Sequence, residues 1–145
     1  MSIRISDMLR ALAQHMHDVG VATYQAAGPY PSSTPHPAVT FGKLPPNPPA
    51  AVALNHYNTD PEFLERDTPL MFVQLRWRAA TLLGVNDLVD DGNAALTTYI
   101  PARWPGGVHV LWMVRTTSSV PPAVEDGNGR FERPDNYEIR LNPGD

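Results

Sequence analysis

Leu70-Met71-Phe72-Val73-Gln74-Leu75-Arg76-Trp77-Arg78 is the stretch from which the fold can be read. Met71, Val73, Leu75 and Trp77 fall on one side of an extended chain, and Phe72, Gln74, Arg76 and Arg78 on the other. Strict alternation with period two marks a sheet strand that turns one apolar face to a core. The second face is half apolar and half cationic. It reads either as an exposed strand face with solvated charges or as a surface for a partner, because arginine beside an aromatic ring buries a planar cation at low cost.

Downstream, Asn86 is placed to cap a helix running to about Tyr99, with Leu88, Val89, Gly92, Ala95, Leu96 and Tyr99 on one side and Pro101 ending it. Asp87, Asp90 and Asp91 then fall in the first turns, where the helix dipole favours anions. The segment 108–116 follows. Val108, Val110, Trp112 and Val114 would line one face and His109, Leu111 and Met113 the other, the pattern of a central strand buried on both sides. A polar loop is expected over 118–135 with Asp126-Gly127-Asn128-Gly129 at its tip, and the alternating run Tyr137-Glu138-Ile139-Arg140-Leu141 closes the chain.

Upstream, Ile5, Met8, Leu9, Leu12, Met16 and Val19 recur at spacings of three and four, giving a helix with one apolar stripe, Ser6 as N-cap, Asp7 against the dipole and Gly20 as its stop. Residues 28–50 hold eight prolines and read as extended, with 38–42 as a short strand that prolines confine to a sheet edge. A further strand is expected over 50–56, with Val52 and Leu54 on one face, and a polar loop over 57–67. The order is therefore helix, strand, strand, strand, helix, strand, strand. That is an α+β architecture: one mostly antiparallel sheet with two helices packed on one face, a single domain over 1–145. The second sheet face, expected to carry Phe72 and Met113, would then need cover from a partner.

Composition narrows the function. The length of 145 residues suits one domain with a real core, and 16 prolines exclude a bundle of long helices. There is no cysteine, which excludes disulfides, thiolate catalysis and zinc–cysteine sites. No apolar run approaches the roughly 18–20 residues that span a bilayer, and Met1-Ser2-Ile3-Arg4-Ile5-Ser6 lacks the apolar core of a signal peptide. The net charge is -4, with ten arginines, one lysine and no basic run. A groove gripping nucleic acid needs clustered cations, so dedicated DNA binding is not expected.

Catalytic and metal motifs are weak throughout. Asp87, Asp90 and Asp91 read as helix-start acids, since no histidine or further carboxylate joins them at ligand spacing. Asp126-Gly127-Asn128-Gly129 lacks the closing acid of a calcium loop and reads as a turn. His15 and His17 point to different sides of their helix. His56 and His109 have no nucleophile at motif spacing, Ser118 and Ser119 lie in no Gly-x-Ser-x-Gly elbow, and Gly106-Gly107 precedes a strand, not a helix. No catalytic residue, cofactor or metal is expected.

The helix over 5–19, the unit from Phe72-Val73-Gln74-Leu75-Arg76-Trp77-Arg78 to Tyr99, and the ending Gly129-Arg130-Phe131-Glu132-Arg133-Pro134-Asp135-Asn136-Tyr137-Glu138-Ile139-Arg140-Leu141 together resemble the tail terminator (tail completion, or minor capsid) proteins of long-tailed bacteriophages. Members look similar in having a valine-glutamine-aliphatic-arginine strand before the second helix and a polar-then-tyrosine closing strand. The proline-rich segment is longer than the family pattern.

The resemblance implies a structural virion protein without catalysis, made in the host cytoplasm and resident in the neck at the upper end of the tail. Copies would assemble with one another as a ring, typically a homo-hexamer, that caps the tail tube, stops its growth and presents the surface that joins the head-side connector. DNA would pass through without specific binding, which a net negative assembly favours. A ring of one subunit type uses two different patches that meet head to tail. Phe72, Gln74, Arg76 and Arg78 are the expected residues of one patch, and Glu125, Asp126, Arg130, Glu132 and Arg133 of the other or of the tube-facing side. Alternatives are another neck component, such as a stopper or adaptor, and a small enzyme using His56 or His109.

Overall fold

The computed structural model describes residues 4–57, 68–116 and 121–142. In chain order its elements are helix α1 (Ile5–Asp18), strands β1 (Ala38–Phe41), β2 (Ala51–Tyr57) and β3 (Leu70–Ala79), helix α2 (Leu82–Leu96), strand β4 (Ala102–Trp104), a 3-10 turn (Pro105–Gly107), and strands β5 (Val108–Arg115), β6 (Val124–Glu125) and β7 (Phe131–Leu141). The seven strands form one sheet in the order β1-β2-β3-β7-β5-β4, with β6 paired to β7. Only β1 and β2 run parallel; the other pairings are antiparallel. The chain is an α+β domain with both helices on one face of a mostly antiparallel sheet, as the alternation and the helical stripes predict. Two short strands, β4 and β6, are additions to the expected order. The polar loop expected over 57–67 lies, from residue 58, outside the described residues, as do Ser118 and Ser119.

β3 turns Met71, Val73, Leu75 and Trp77 into the core, each fully buried. β7 supplies Tyr137, Ile139 and Leu141 beside them, and β2 supplies Val52 and Leu54. α1 lays Met8, Leu12 and Met16 over β2 and β4. Its first turn starts from Arg4 in extended conformation, not from Ser6, and Asp7 does lie in that turn. Gly20, with φ 82°, ends the helix as expected. Its N–H bonds to His17 O at 3.1 Å while the Val21 N–H reaches back to Met16 O at 3.1 Å. This paired closure satisfies two terminal carbonyls and requires a left-handed residue at the glycine position. Val19 therefore falls outside the stripe and is exposed.

α2 begins a turn earlier than expected. The Thr81 hydroxyl, not Asn86, is the cap, accepting from the Gly84 N–H at 3.0 Å. Both residue types cap well; Val85, fully buried, decides between them, because it must already be helical to join Val89, Gly92 and Leu96 on the buried stripe. Asp87, Asp90 and Asp91 consequently sit exposed in the body of the helix, and the reading of them as helix-start acids is overturned. Ala95 and Tyr99 are exposed too, not core-facing.

Two further expectations fail for identifiable reasons. A register shift between Val110 and Trp112 reverses the facing of β5 beyond it. Met113 is buried in the core as a result, while Trp112 and Val114 turn to the opposite face. The most buried strand is β3, set between β2 and β7; β5 is one place from the β4 edge. β7 also starts at Phe131, so 131–135 are strand and not loop. Pro134, which cannot donate to a ladder, falls between the residues of β7 that pair with β5 and those that pair with β6.

The helix–sheet seam turns on one close approach. A Cβ added at Gly92 would stand 2.6 Å from Trp77 Cζ2, deep in the core. Gly92→Ala gains about 1 kcal/mol of helix propensity but loses about 1–3 kcal/mol to overpacking. The balance is a net loss of up to about 2 kcal/mol, read as a Tm lower by up to roughly 8 °C, and the loss should shrink when Trp77→Phe accompanies it.

His15 stacks on Trp104 with ring centroids 4.9 Å apart, joining α1 to β4. Burial pushes its imidazole below the ordinary value of 6.5, with Asp18 opposing. The unfolded chain therefore takes up this proton first as pH falls through about 6.5, and stability declines until the folded-state value is passed. Thermal melts at pH 7.5 and 5.5 should show a smaller acid loss for His15→Phe, which keeps a ring on Trp104, than for the wild type.

Candidate functional site

The sheet face away from the helices is built by alternation. Cross-strand register sets its rows: Tyr57, Phe72, Glu138 and Val114; Asn55, Gln74 and Asn136; Arg76 and Pro134; Arg140 and Trp112. All are partly exposed. The Tyr57 and Phe72 rings lie 6.0 Å apart at 48°. The Arg140 guanidinium stands 5.2 Å over the Trp112 ring and donates to Thr68 O at 2.8 Å. Arg76 donates to Gln74 Oε1 at 3.3 Å and approaches Glu132 Oε1 at 3.6 Å. Among the described residues no helix or strand packs on this face. Aromatic rings and arginines held in rows on a rigid sheet are the side-chain chemistry of a protein contact.

Arg78 shares this side of β3 but is not available to a partner. It is 5 % exposed and donates to three carbonyls of the proline segment: Pro45 O at 2.6 Å, Pro48 O at 2.9 Å and Pro49 O at 3.0 Å. Arg130 donates to Pro46 O at 2.6 Å and Asn47 Oδ1 at 3.3 Å. Prolines bring carbonyls without N–H groups, so their segment has surplus acceptors, and the two guanidinia supply donors. Burial, then the facing Arg130, hold the Arg78 guanidinium below its ordinary value, with Asp126 and Glu132 opposing. The charge persists, since arginine is not deprotonated in proteins. This clamp fastens the connection between β1 and β2, which here returns the chain to a parallel neighbour without the usual helix.

Of the residues expected to form a second patch, Glu132 joins the first. β7 pairs with β3, so Glu132 stands opposite Arg78 and bridges to Arg76. Asp126 closes the β6–β7 turn, accepting from the Asn128 N–H at 2.8 Å and the Arg130 N–H at 3.0 Å; these two donors hold its carboxyl below the usual range. Glu125 is exposed on β6. Arg133 lies on the helix side, donating to Asn86 Oδ1 at 2.7 Å and Pro121 O at 2.8 Å. Of the nine sequence-predicted residues, Phe72, Gln74, Arg76 and Glu132 share one face, Glu125, Asp126 and Arg130 lie on β6 and its turn into β7, Arg78 is spent inside the fold and Arg133 is on the reverse face.

A buried polar network lies beneath the sheet. Asp135, 1 % exposed, receives Arg115 Nε and Nη2 at 2.9 Å each. The Tyr137 hydroxyl is 2.9 Å from Asp135 Oδ2 and 3.1 Å from Asn93 Oδ1. Its one proton goes to the charged oxygen, and burial, then the neighbouring carboxylate, raise its pKa. The network joins β5, β7 and α2 and is occupied by its own members, which makes it a structural tie.

Sequence reasoning missed three exposed apolar side chains, Leu83, Ile100 and Val124, and took a fourth, Tyr99, as facing inward. Leu83, Tyr99, Ile100 and Val124 are 74 %, 78 %, 76 % and 65 % exposed. Spacing sets Tyr99 on the apolar side of the second helix, and the signal for the other three is that none fits a helical stripe or a strand alternation that reaches the core. His56 is exposed and His109 half-buried. Among the described residues no group of three or more His, Asp or Glu side chains is placed to hold a metal, and no helix is long and apolar enough to cross a membrane. Compared with known proteins, the chain matches no family model and no curated sequence.

Arg76 and Arg78 separate by experiment. Arg78→Met strands three carbonyls and is expected to cost about 2–4 kcal/mol in chemical denaturation. Arg76→Ala, at a pair open to water, is expected to cost less than about 1 kcal/mol.

Proposed function

We propose that this chain is a structural assembly protein of a long-tailed bacteriophage, the tail terminator: copies form a ring on the upper end of the tail tube, stop its growth and present the joining surface for the head-side connector. The observation that carries the reading is the one-sided architecture. Both helices cover one sheet face, and the other presents Phe72, Gln74, Arg76, Trp112 and Arg140 in fixed rows. A sheet with helices on a single face is the fold expected from the resemblance, where stoppers tend toward small barrels and adaptors toward helices. The acidic balance of -4 suits a ring through which DNA slides without sticking. Ring, tube and connector are its partners in this reading, the virion neck its place, and docking rather than bond chemistry its work.

Deletion of the gene from the phage genome tests this. Overlong, headless tails are expected on electron micrographs, rescued by the wild-type gene in trans. Tails of normal length that fail to join full heads would assign the chain to a neighbouring neck component, and normal virions would overturn the reading.

A further inference from the structure

The one-sided face supplies a single patch, and a closed head-to-tail assembly needs two that differ. We propose that copies of this chain meet along α2: Tyr99 and Ile100, beyond the C-terminal end of one copy's helix, dock on Leu82, Leu83 and Val124 at the N-terminal end of the next. The inference rests on the reading of the chain as a ring former and names the surfaces that make the ring.

Three observations select a second copy as the occupant. First, the exposed apolar side chains sit at both ends of one helix. α2 has 15 residues, so its ends are roughly 22 Å apart at about 1.5 Å per residue. Leu82 and Leu83 open it, exposed. Val124 belongs to the same end, because the Arg133 guanidinium bonds both Asn86 of the helix and Pro121 of the approach to β6. A two-fold contact that paired these ends would stop at a dimer; a head-to-tail copy makes the same end-to-end contact and passes it on to the next subunit, as a ring requires.

Second, the ends are electrostatic complements. α2 has no acid in its first turn and no base in its last, so partial charges of about +0.5 and -0.5 remain uncompensated within the helix. End-to-end approach brings them together.

Third, the projecting pair is held in place. Thr98 exchanges backbone hydrogen bonds with Met113 at 2.9 and 3.0 Å, and its hydroxyl lies 3.2 Å from the Ile100 nitrogen and 3.1 Å from the Ile100 oxygen. A pre-formed knob loses little entropy on docking. Each patch amounts to roughly 300 Å², well under the ~800 Å² per partner of a stable complex. The contact is therefore weak between free subunits and cooperative on a template.

The chain has no cysteine, so introduced thiols report the contact without background. Full-length Leu83→Cys and Ile100→Cys proteins, mixed under mild oxidation, are expected to form a mixed disulfide at least about tenfold faster than Ile100→Cys mixed with His56→Cys, an exposed site on β2; the double variant should give a reducible ladder of multimers. Ile100→Asp or Leu83→Asp, with unchanged circular dichroism, should raise the concentration for self-association in light scattering by about tenfold or more. Cross-linking at the control rate, or each variant pairing chiefly with itself, would overturn the contact. An assembly that survives both aspartates without an 83–100 cross-link would overturn it while leaving the ring standing. Normal virions after gene deletion would remove the phage role and leave the contact to be judged by the cross-link alone.

Discussion

The ladder between β3 and β7 is the constraint on which the rest depends. Ten residue pairs run in unbroken register from Leu70 opposite Arg140 to Ala79 opposite Phe131. Strands so far apart in sequence carry a large closure cost, which the ladder recovers by fixing two alternating rows at once. On the inner side it aligns Met71, Val73, Leu75 and Trp77 with Ile139, Tyr137, Asp135 and Arg133. On the outer side it sets Arg76 near Glu132 and Phe72 opposite Glu138. A slip of one residue would exchange the rows, exposing the tryptophan and burying the charges.

The same register explains why a chain rich in proline folds around arginines. β7 delivers Arg130 to the proline segment just where β3 delivers Arg78. Neither cation has a carboxylate as its main partner; each satisfies carbonyls that no ladder can reach. The clamp lets β1 run parallel to β2 with no helix between them. It also removes from the surface one of the two cations that the bare alternation places there.

The core and the class of fold were legible because they rest on period alone. Four buried residues of β3, the α1 stripe and the Gly20 stop follow from spacing and from glycine's left-handed freedom. The failures have a common physical origin in long-range geometry. The β5 bulge exchanges Met113 for Trp112 through pairing with β7, and no local pattern in 108–116 announces it. Thr81 and Asn86 are equivalent caps until Trp77 demands Gly92 and Val85 on one stripe. The strand 131–135 is polar and contains proline, so only its partner β3 makes it a strand. The candidate surface was legible in part for the same reason: Phe72, Gln74 and Arg76 follow from alternation, whereas the arrival of Glu132 on that face depends on β7 lying beside β3.

Charge placement carries the argument one step further. Of the ten arginines, nine lie among the described residues, and seven of those have partners: Arg10 with Asp7, Arg76 with Glu132, Arg115 with Asp135, Arg78 and Arg130 with the proline carbonyls, Arg133 with Asn86 and Pro121, and Arg140 with Trp112 and Thr68. Arg78 and Arg130, committed to carbonyls, and Arg115, held by the buried Asp135, have few donors left for phosphate. The acids of α2 are placed otherwise: Asp87, Asp90 and Asp91 stand exposed along the helix. Among the described residues burial takes one charge of each sign out of water, Arg78 and Asp135, so it leaves the acidic balance of the surface as the sequence sets it. In the proposed ring, a net negative subunit would disfavour a polyanion while its row of Phe72, Gln74 and Arg76 stays open for contacts with protein.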